Sequence, residues 1–331
     1  MSSFYPLKVE SIRSLTSNSV EIKFEILKEL EEEFNFVPGQ YITIKKDING
    51  EDIRRSYSLC SSKEEGVCVG VKRVEGGKMS LFLTNNLEEG DMLEVMPPQG
   101  NFTLKGDNVV AICAGSGITP IISMMKAHKK AFTLIYGNQT KSSTMFYDEL
   151  NYLDATIYHV LSKEKKDGFK HGRINSSILK DILEDKSLFD SYYICGPGEM
   201  IDSVSQFLIK EGVDKSKIYF ERFIAVEKEI EKKEIDNINS NVLISVDGDD
   251  FEFQLSTNGI SILDAAIEAG ADAPFSCKGA VCCICKAKVI QGKAIMKQNY
   301  SLSEEEVEAG YILTCQAHPT SSDIVIDYDE I

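Results

Sequence analysis

The 331-residue chain predicts a multidomain protein in three parts: an antiparallel β-barrel, an α/β unit on a parallel sheet, and a small α+β unit at the C-terminal end. Three observations predict this. Residues Phe4 to about Leu104 alternate short β-rich runs with turn signals. From Asn108, continuous apolar runs alternate with helical stretches, and a glycine-rich loop joins the first run to its helix. The last part carries four cysteines at a metal-binding spacing among short strands. The length fits two or three domains.

Composition limits the possible functions. No run of 18 apolar residues exists, so no membrane span is predicted. The start, Met-Ser-Ser-Phe-Tyr-Pro, lacks the basic and apolar regions of a signal peptide. Nine cysteines without a secretion signal point to a reducing, cytoplasmic compartment. A net charge of −16 argues against nucleic-acid binding. From Asn241 onward there are 15 acidic and 5 basic residues, so the C-terminal part is the acidic end. That excess serves solubility or steers a basic partner onto a docking face.

In the first part, strands are expected at Val20–Ile26, Gln40–Lys45 and Val67–Val74. Turns are expected at Pro38-Gly39, Asn49-Gly50, Gly76-Gly77 and Pro97-Pro98-Gln99-Gly100. Two stretches carry more polar residues than a barrel needs. In Arg54-Arg55-Ser56-Tyr57-Ser58, alternation puts Arg55, Tyr57 and Leu59 on one face. A guanidinium suits a pyrophosphate, a Tyr ring suits a flat aromatic cofactor, and the Ser58 hydroxyl can bond a ring nitrogen. The same pattern also fits an exposed Arg beside a packed Tyr. In Gly76-Gly77-Lys78-Met79-Ser80, glycines before a helical run can present free N–H groups to a phosphate, or simply start a helix.

In the second part, Val109–Cys113 reads as a buried parallel strand. The loop Gly115-Ser116-Gly117-Ile118-Thr119-Pro120 and the helix Ile121–Lys129 follow, which is the context of a dinucleotide phosphate site. Strands at Ala131–Tyr136, Ala155–Leu161 and Tyr192–Cys195 and helices at Met145–Leu150 and Glu199–Ile209 complete an α/β pattern. Cys195-Gly196-Pro197-Gly198 ends a strand where such sheets bind ligands. After Tyr136, Gly-Asn-Gln139-Thr-Lys141-Ser142-Ser143 lacks the acid that would hold a ribose hydroxyl of NADH, whereas Lys141 and the hydroxyls suit the phosphate of NADPH. Ala225 to Ser240 is charged and reads as a linker, or as an exposed helix.

The third part begins with Val242–Val246 and Phe251–Gln254 as a hairpin about Asp247-Gly248. A helix follows at Ser261–Ala269, then strands at Lys286–Ile290 and Asp323–Asp327. Between them Cys277, Cys282 and Cys285 are spaced C-x4-C-x2-C, and Cys315 follows at a distance. This is the plant-type arrangement of four thiolates on a [2Fe-2S] cluster. Zinc is the alternative, but structural zinc sites use paired C-x2-C knuckles and only one pair is present. Cys283 reads as a non-ligand thiol, because neighbours on an extended loop point opposite ways. His128, His159, His171 and His318 have no partner at ligand spacing and read as surface or structural.

These motifs resemble two families. Arg55-x-Tyr57-Ser58 and Gly77-Lys78-Met79-Ser80 are similar to the flavin and pyrophosphate motifs of the ferredoxin–NADP reductase superfamily, and Phe102 to its barrel end. The last ninety or so residues, with Leu-Thr-Cys315-Gln, resemble plant-type ferredoxins of β-grasp-like fold. Over the whole chain the order of parts resembles the reductase components of multicomponent bacterial oxygenases, the phenylacetyl-CoA epoxidase reductase subfamily above all. The resemblance implies FAD, a [2Fe-2S] cluster and NADPH (or NADH), with electrons passing from NAD(P)H to FAD, to the cluster, and to an oxygenase. It implies cofactor contacts at Arg55, Tyr57, Ser58, Gly77, Met79, Ser80, Gly115, Gly117, Thr119 and Gly196. It further implies catalytic roles for Ser58, for Cys195 beside the nicotinamide, and for Phe223 over the flavin. The implied boundaries are 1–104 (FAD), 105–225 (NAD(P)), 226–240 (linker) and 241–331 (ferredoxin). A desaturase or hybrid-cluster protein as acceptor, or a non-redox zinc module, are the competing readings. Cys283 and Gln139 depart from the subfamily, which has a small residue and an Arg there.

Overall fold

A computed structural model of the chain describes residues 4–184, 188–223 and 237–330. They fall into two compact units, Phe4–Phe223 and the C-terminal residues from 237 on.

The first half of the larger unit holds β1 (Tyr5–Thr16), β2 (Ser19–Glu25), β3 (Tyr41–Ile48), β4 (Glu51–Ser58), β5 (Cys68–Lys72), α1 (Lys78–Asn85) and β6 (Met92–Gln99). The strands form an antiparallel sheet in the order β4-β3-β6-β1-β2-β5. A bridge between Leu59 and Val69 joins its two end strands, so the sheet closes on itself. Alternation drives this: Val9, Ile22, Phe24, Ile42, Ile44, Val69, Val71 and Val95 fill one core. The expected strands are present with ends shifted by one to three residues.

The second half comprises β7 (Val109–Ala114), α2 (Ile118–Ala127), β8 (Phe132–Asn138), α3 (Tyr147–Leu150), β9 (Thr156–Leu161), β10 (Lys170–His171), α4 (Ser176–Ile182), β11 (Ser191–Cys195), α5 (Gly198–Lys210) and β12 (Ile218–Glu221). Its sheet is parallel, in the order β10-β9-β8-β7-β11-β12. The unbroken apolar run of β7 is explained by burial on both faces. Val109, Ala111 and Cys113 join one core, and Val110 and Ile112 the other. Helix α4 carried too weak a pattern to be expected; Asn175 caps it by accepting from Ser177 N and Ile178 N.

The C-terminal unit comprises β13 (Asn239–Val246), β14 (Asp249–Ser256), α6 (Ile262–Glu268), β15 (Lys286–Gln291), β16 (Ala294–Met296), α7 (Glu304–Glu308), β17 (Tyr311–Leu313), β18 (Ala317–Pro319) and β19 (Asp323–Asp327). Its main sheet runs β14-β13-β19-β15-β17, with β19 at the centre, parallel to β13 and antiparallel to β15. Asp247 (φ 51) and Gly248 (φ 81) make the two-residue hairpin turn. The linker expected over 226–240 lies largely outside the described residues. Strand β13 starts at Asn239, where Asn239 and Ser240 pair with β14, and Asn241, Val242 and Leu243 pair with Asp323, Ile324 and Val325.

Candidate functional site

The sheet register places the flavin motif. Along β4, Arg55 pairs with Ile44, Tyr57 with Ile42 and Ser58 with Tyr41. Arg55 is exposed, and its guanidinium bonds the neighbouring Arg54 carbonyl (2.6 Å). Arg54, by contrast, is buried and held by Asp52. The half-buried Tyr57 phenol is pushed well up by burial. Ser58 is buried, and its Oγ donates to Glu221 Oε2 at 3.2 Å. Glu221 ends β12 and pairs with Cys195 at the end of β11. Burial pushes the Glu221 carboxyl up to about 8, against the bond from Ser58. The Cys195 thiol is held well above its usual range by burial, then by Glu221 and Cys113, so it stays protonated. Ser58, Glu221 and Cys195 therefore meet where the barrel joins the nucleotide sheet. Phe223, just beyond, is 38% exposed.

In the glycine–serine stretch, backbone and side chains are committed differently. Gly77 is the N-cap of α1, and its own N–H bonds Val74 O (3.1 Å), so it is not a free donor. The first intrahelical bond is Leu81 N to Gly77 O (3.0 Å), which leaves the N–H groups of Lys78, Met79 and Ser80 at the helix start. Ser80 Oγ is spent on the turn, accepting from Val74 N and donating to Gly77 O (both 3.1 Å). The Met79 side chain is 2% exposed within the barrel core. Its apolar spacing with Leu83 dictates this, and only its backbone is left for a cofactor.

At the coenzyme loop the glycines are required. A Cβ on Gly117 would lie 2.2 Å from the Cys195 carbonyl oxygen, and Gly115 has φ +57. A Cβ on Gly196 would meet Met200 at 2.7 Å and Ala114 N at 3.2 Å. Thr119 Oγ1 closes the loop onto Ser116 O (3.0 Å) and its methyl packs on Gly70, so it shapes the loop rather than standing free. Lys72, at the end of β5, was missed by sequence reasoning. Its Nζ lies 3.7 Å from where a Gly115 Cβ would stand, and burial depresses its pKa. No sequence signal marks a lysine that becomes relevant only once β5 meets the loop.

Beyond β8 and β9, Tyr147, His159 and Phe169 form an aromatic group with centroids 5.2–6.3 Å apart. Lys141 Nζ lies 4.4 Å above the Tyr147 ring. Thr140 and Ser143, expected to offer hydroxyls, spend them on a capping box instead.

In the C-terminal unit the cysteine loop turns through three left-handed residues, Lys278 (φ 49), Ala280 (φ 61) and Cys283 (φ 57). That brings the four thiols together in pairs: Cys277 bonds Cys282, and Cys285 bonds Cys315. Backbone N–H groups aim at the sulfurs, with Gly279 N 3.3 Å from Cys277 Sγ. The Cys282 thiol, then the N–H groups of Gly279, Val281 and Cys282, pull the Cys277 pKa down to about 6. The Cys285 thiol lowers that of Cys315 in the same way. Among the described residues, no three His, Cys, Asp or Glu side chains gather at one ion-sized point. The two-and-two pairing suits a two-iron centre, with two thiolates on each iron. Cys283 bonds the Ser301 side chain, not another thiol. Its replacement by serine is expected to leave iron content unchanged, measured by iron assay; a lost cluster would move the ligand register onto Cys283.

Comparison with known proteins identifies three domain families along the chain. The oxidoreductase FAD-binding domain family matches residues 6–104, the oxidoreductase NAD-binding domain family 111–206, and the 2Fe-2S iron-sulfur cluster binding domain family 244–320. The chain is 38% identical to a subunit of the 1,2-phenylacetyl-CoA epoxidase of Escherichia coli (strain K12), covering 99% of both. It is 30% identical to the ferredoxin reductase component of 3-ketosteroid-9-alpha-monooxygenase from Rhodococcus rhodochrous, over 97% of this chain and 96% of that one. Among solved structures, phthalate dioxygenase reductase shares the fold at 24% identity and a TM-score of 0.62, covering 98% of both chains.

Proposed function

This chain belongs to the NAD(P)H-dependent oxidoreductases that join an FAD-binding, an NAD-binding and a 2Fe-2S cluster-binding domain, and on that premise we propose that it is the reductase component of an oxygenase system. One observation carries the reading: paired thiols suited to a one-electron centre stand in the same chain as the Ser58–Glu221–Cys195 group. FAD, when bound, accepts a hydride from the coenzyme and releases its electrons singly. The remaining work falls to the protein. Arg55 and the N–H groups of Lys78, Met79 and Ser80 would hold the FAD pyrophosphate. Tyr57 would pack on the flat ring, and Phe223 would cover it. Ser58 holds a proton at Oγ that Glu221 orients. The Gly115–Gly117 loop, Thr119, Gly196 and Lys72 shape the coenzyme phosphate site, and Cys195 lies beside the nicotinamide. Cys277, Cys282, Cys285 and Cys315 would hold the cluster.

The acceptor we propose is an oxygenase that docks a basic face on the acidic C-terminal unit. The name of the Escherichia coli relative points to one acting on phenylacetyl-CoA. A desaturase or hybrid-cluster protein is the competing acceptor, and electron transfer to each purified partner separates them. We propose NADPH as donor: Lys141 Nζ stands over Tyr147 beside the exposed Ser142, where a phosphate on the adenosine ribose would find a cation. We propose boundaries at 1–104 and 105–225, a linker from 226, and a C-terminal domain that takes in β13 from Asn239. Nine free cysteines suit a cytoplasmic setting.

The testing experiment is the visible spectrum of anaerobically purified protein, titrated separately with NADPH and NADH. Overlapping flavin and iron–sulfur bands, both bleached by NADPH at lower concentration than by NADH, are expected. A colourless protein holding zinc would end the redox reading, and equal response to both coenzymes would remove the NADPH preference.

A further inference from the structure

Behind the cysteine cage stands a pair of hydroxyls that the cysteine pattern does not include. Tyr328 follows β19 directly and is 4% exposed in the core of the C-terminal unit. Its hydroxyl lies 2.8 Å from Thr314 Oγ1, and Thr314 Oγ1 lies 2.9 Å from the carbonyl oxygen of Cys285. The last member fixes the direction of both bonds. A carbonyl oxygen only accepts, so Thr314 donates to it. Thr314 has then spent its one proton, so Tyr328 donates to Thr314. Both O–H dipoles thus point their positive ends along the chain toward the Cys285 loop. Thr314 N gives the same carbonyl a second bond (3.1 Å). Thr314 is fully buried, and its own carbonyl accepts from Leu263 N in α6 (3.1 Å), so the pair is locked between helix and ligand loop.

We infer that Tyr328 is a positioning residue that, through Thr314, fixes the Cys285 loop and raises the reduction potential of the centre. The inference rests on the reading of the four thiols as a [2Fe-2S] cage. Reduction adds one negative charge to a buried site. Two aligned dipoles with positive ends toward it stabilise the reduced state more than the oxidised one. The low local dielectric strengthens the effect, and the first hydrogen bond polarises the second. The geometry also keeps the arrangement permanent, since neither hydroxyl reaches water to turn.

The test uses the full chain, wild type and Tyr328→Phe, purified anaerobically. Iron and acid-labile sulfide are assayed, the reduced protein is examined by electron paramagnetic resonance, and the centre is titrated potentiometrically. Phe occupies nearly the same volume and Thr314 keeps its acceptor, so full iron content is expected. At a fixed potential, the ratio of reduced to oxidised centre should fall, by up to about five-fold, the worth of one neutral hydrogen bond. Thr314→Ser keeps both hydroxyls and should titrate as wild type. A Tyr328→Phe protein with full iron and an unchanged ratio overturns the inference while leaving the cage intact. So does a Thr314→Ser protein that shifts, or loses iron, as much as Tyr328→Phe, because methyl packing would then be responsible. Loss of iron from Tyr328→Phe also overturns the inference, because packing around the ring, and not the hydroxyl chain, would then hold the site. Wild-type protein without iron and labile sulfide fails the cage reading itself.

Discussion

Replacing Cys315 by serine is expected to empty the iron–sulfur site and cut one-electron transfer to cytochrome c by at least ~10²-fold, the scale of losing a metal-site interaction outright. The same protein should still pass electrons from coenzyme to ferricyanide within about two-fold of wild type, because the flavin site lies in the Phe4–Phe223 unit. The cause is local. Cys315 pairs with Cys285, and the Cys285 thiol holds it toward the thiolate form a metal needs. A serine hydroxyl does not deprotonate there, and the Cys285 side of the cage is left with one ligand. Iron assay and the visible spectrum read the first effect, and the two dye assays read the second. A serine variant with full iron would show that Cys315 is not a ligand.

Glu221→Gln should lower the rate of flavin reduction by the coenzyme about 10²-fold, the usual contribution of a group that holds a proton at a reacting site. The wild-type pH profile should break near 8, where burial has placed the Glu221 carboxyl, and the variant profile should lack that break. Stability carries the same signature. The folded value lies above the ordinary 4.5, so the native state binds the proton more tightly than the unfolded chain. The contribution is fully present below about pH 4.5, declines as pH rises toward 8, and is gone above it. Glutamine removes that slope. Stopped-flow absorbance across pH measures the rate, and denaturant unfolding at pH 5 and 8 measures the stability. A variant that kept the break near 8 would assign it to another group.

These two residues divide what local sequence encodes from what it does not. Cys277, Cys282, Cys285 and Cys315 are legible because three of them lie within nine positions, and a cage of that size dictates its own spacing. The strand–glycine loop–helix at Val109–Ala127 is legible because each part has its own short-range signal. Glu221 bonds Ser58 across 163 positions, and no local pattern marks a single carboxylate at a strand end. Lys72 was missed for the same reason. Met79 and Ser80 lie inside a legible motif, yet helix α1 spends one side chain on the core and the other on its own first turn. Motif spacing locates a segment, while the division between backbone and side-chain roles is decided by packing.

The central place of β19 bears on how the protein is made. All four thiols lie earlier in the chain than residues 323–327, and β19 joins the β13–β14 hairpin to β15. As the chain grows from the ribosome, every cysteine therefore emerges before the strand that completes their support. Until it arrives, β13 and β15 present open edges, and the scaffold around the thiols cannot be complete. A machinery that delivers iron and sulfide during synthesis would thus meet a loop without its sheet, whereas delivery after β19 has paired meets a finished receptacle.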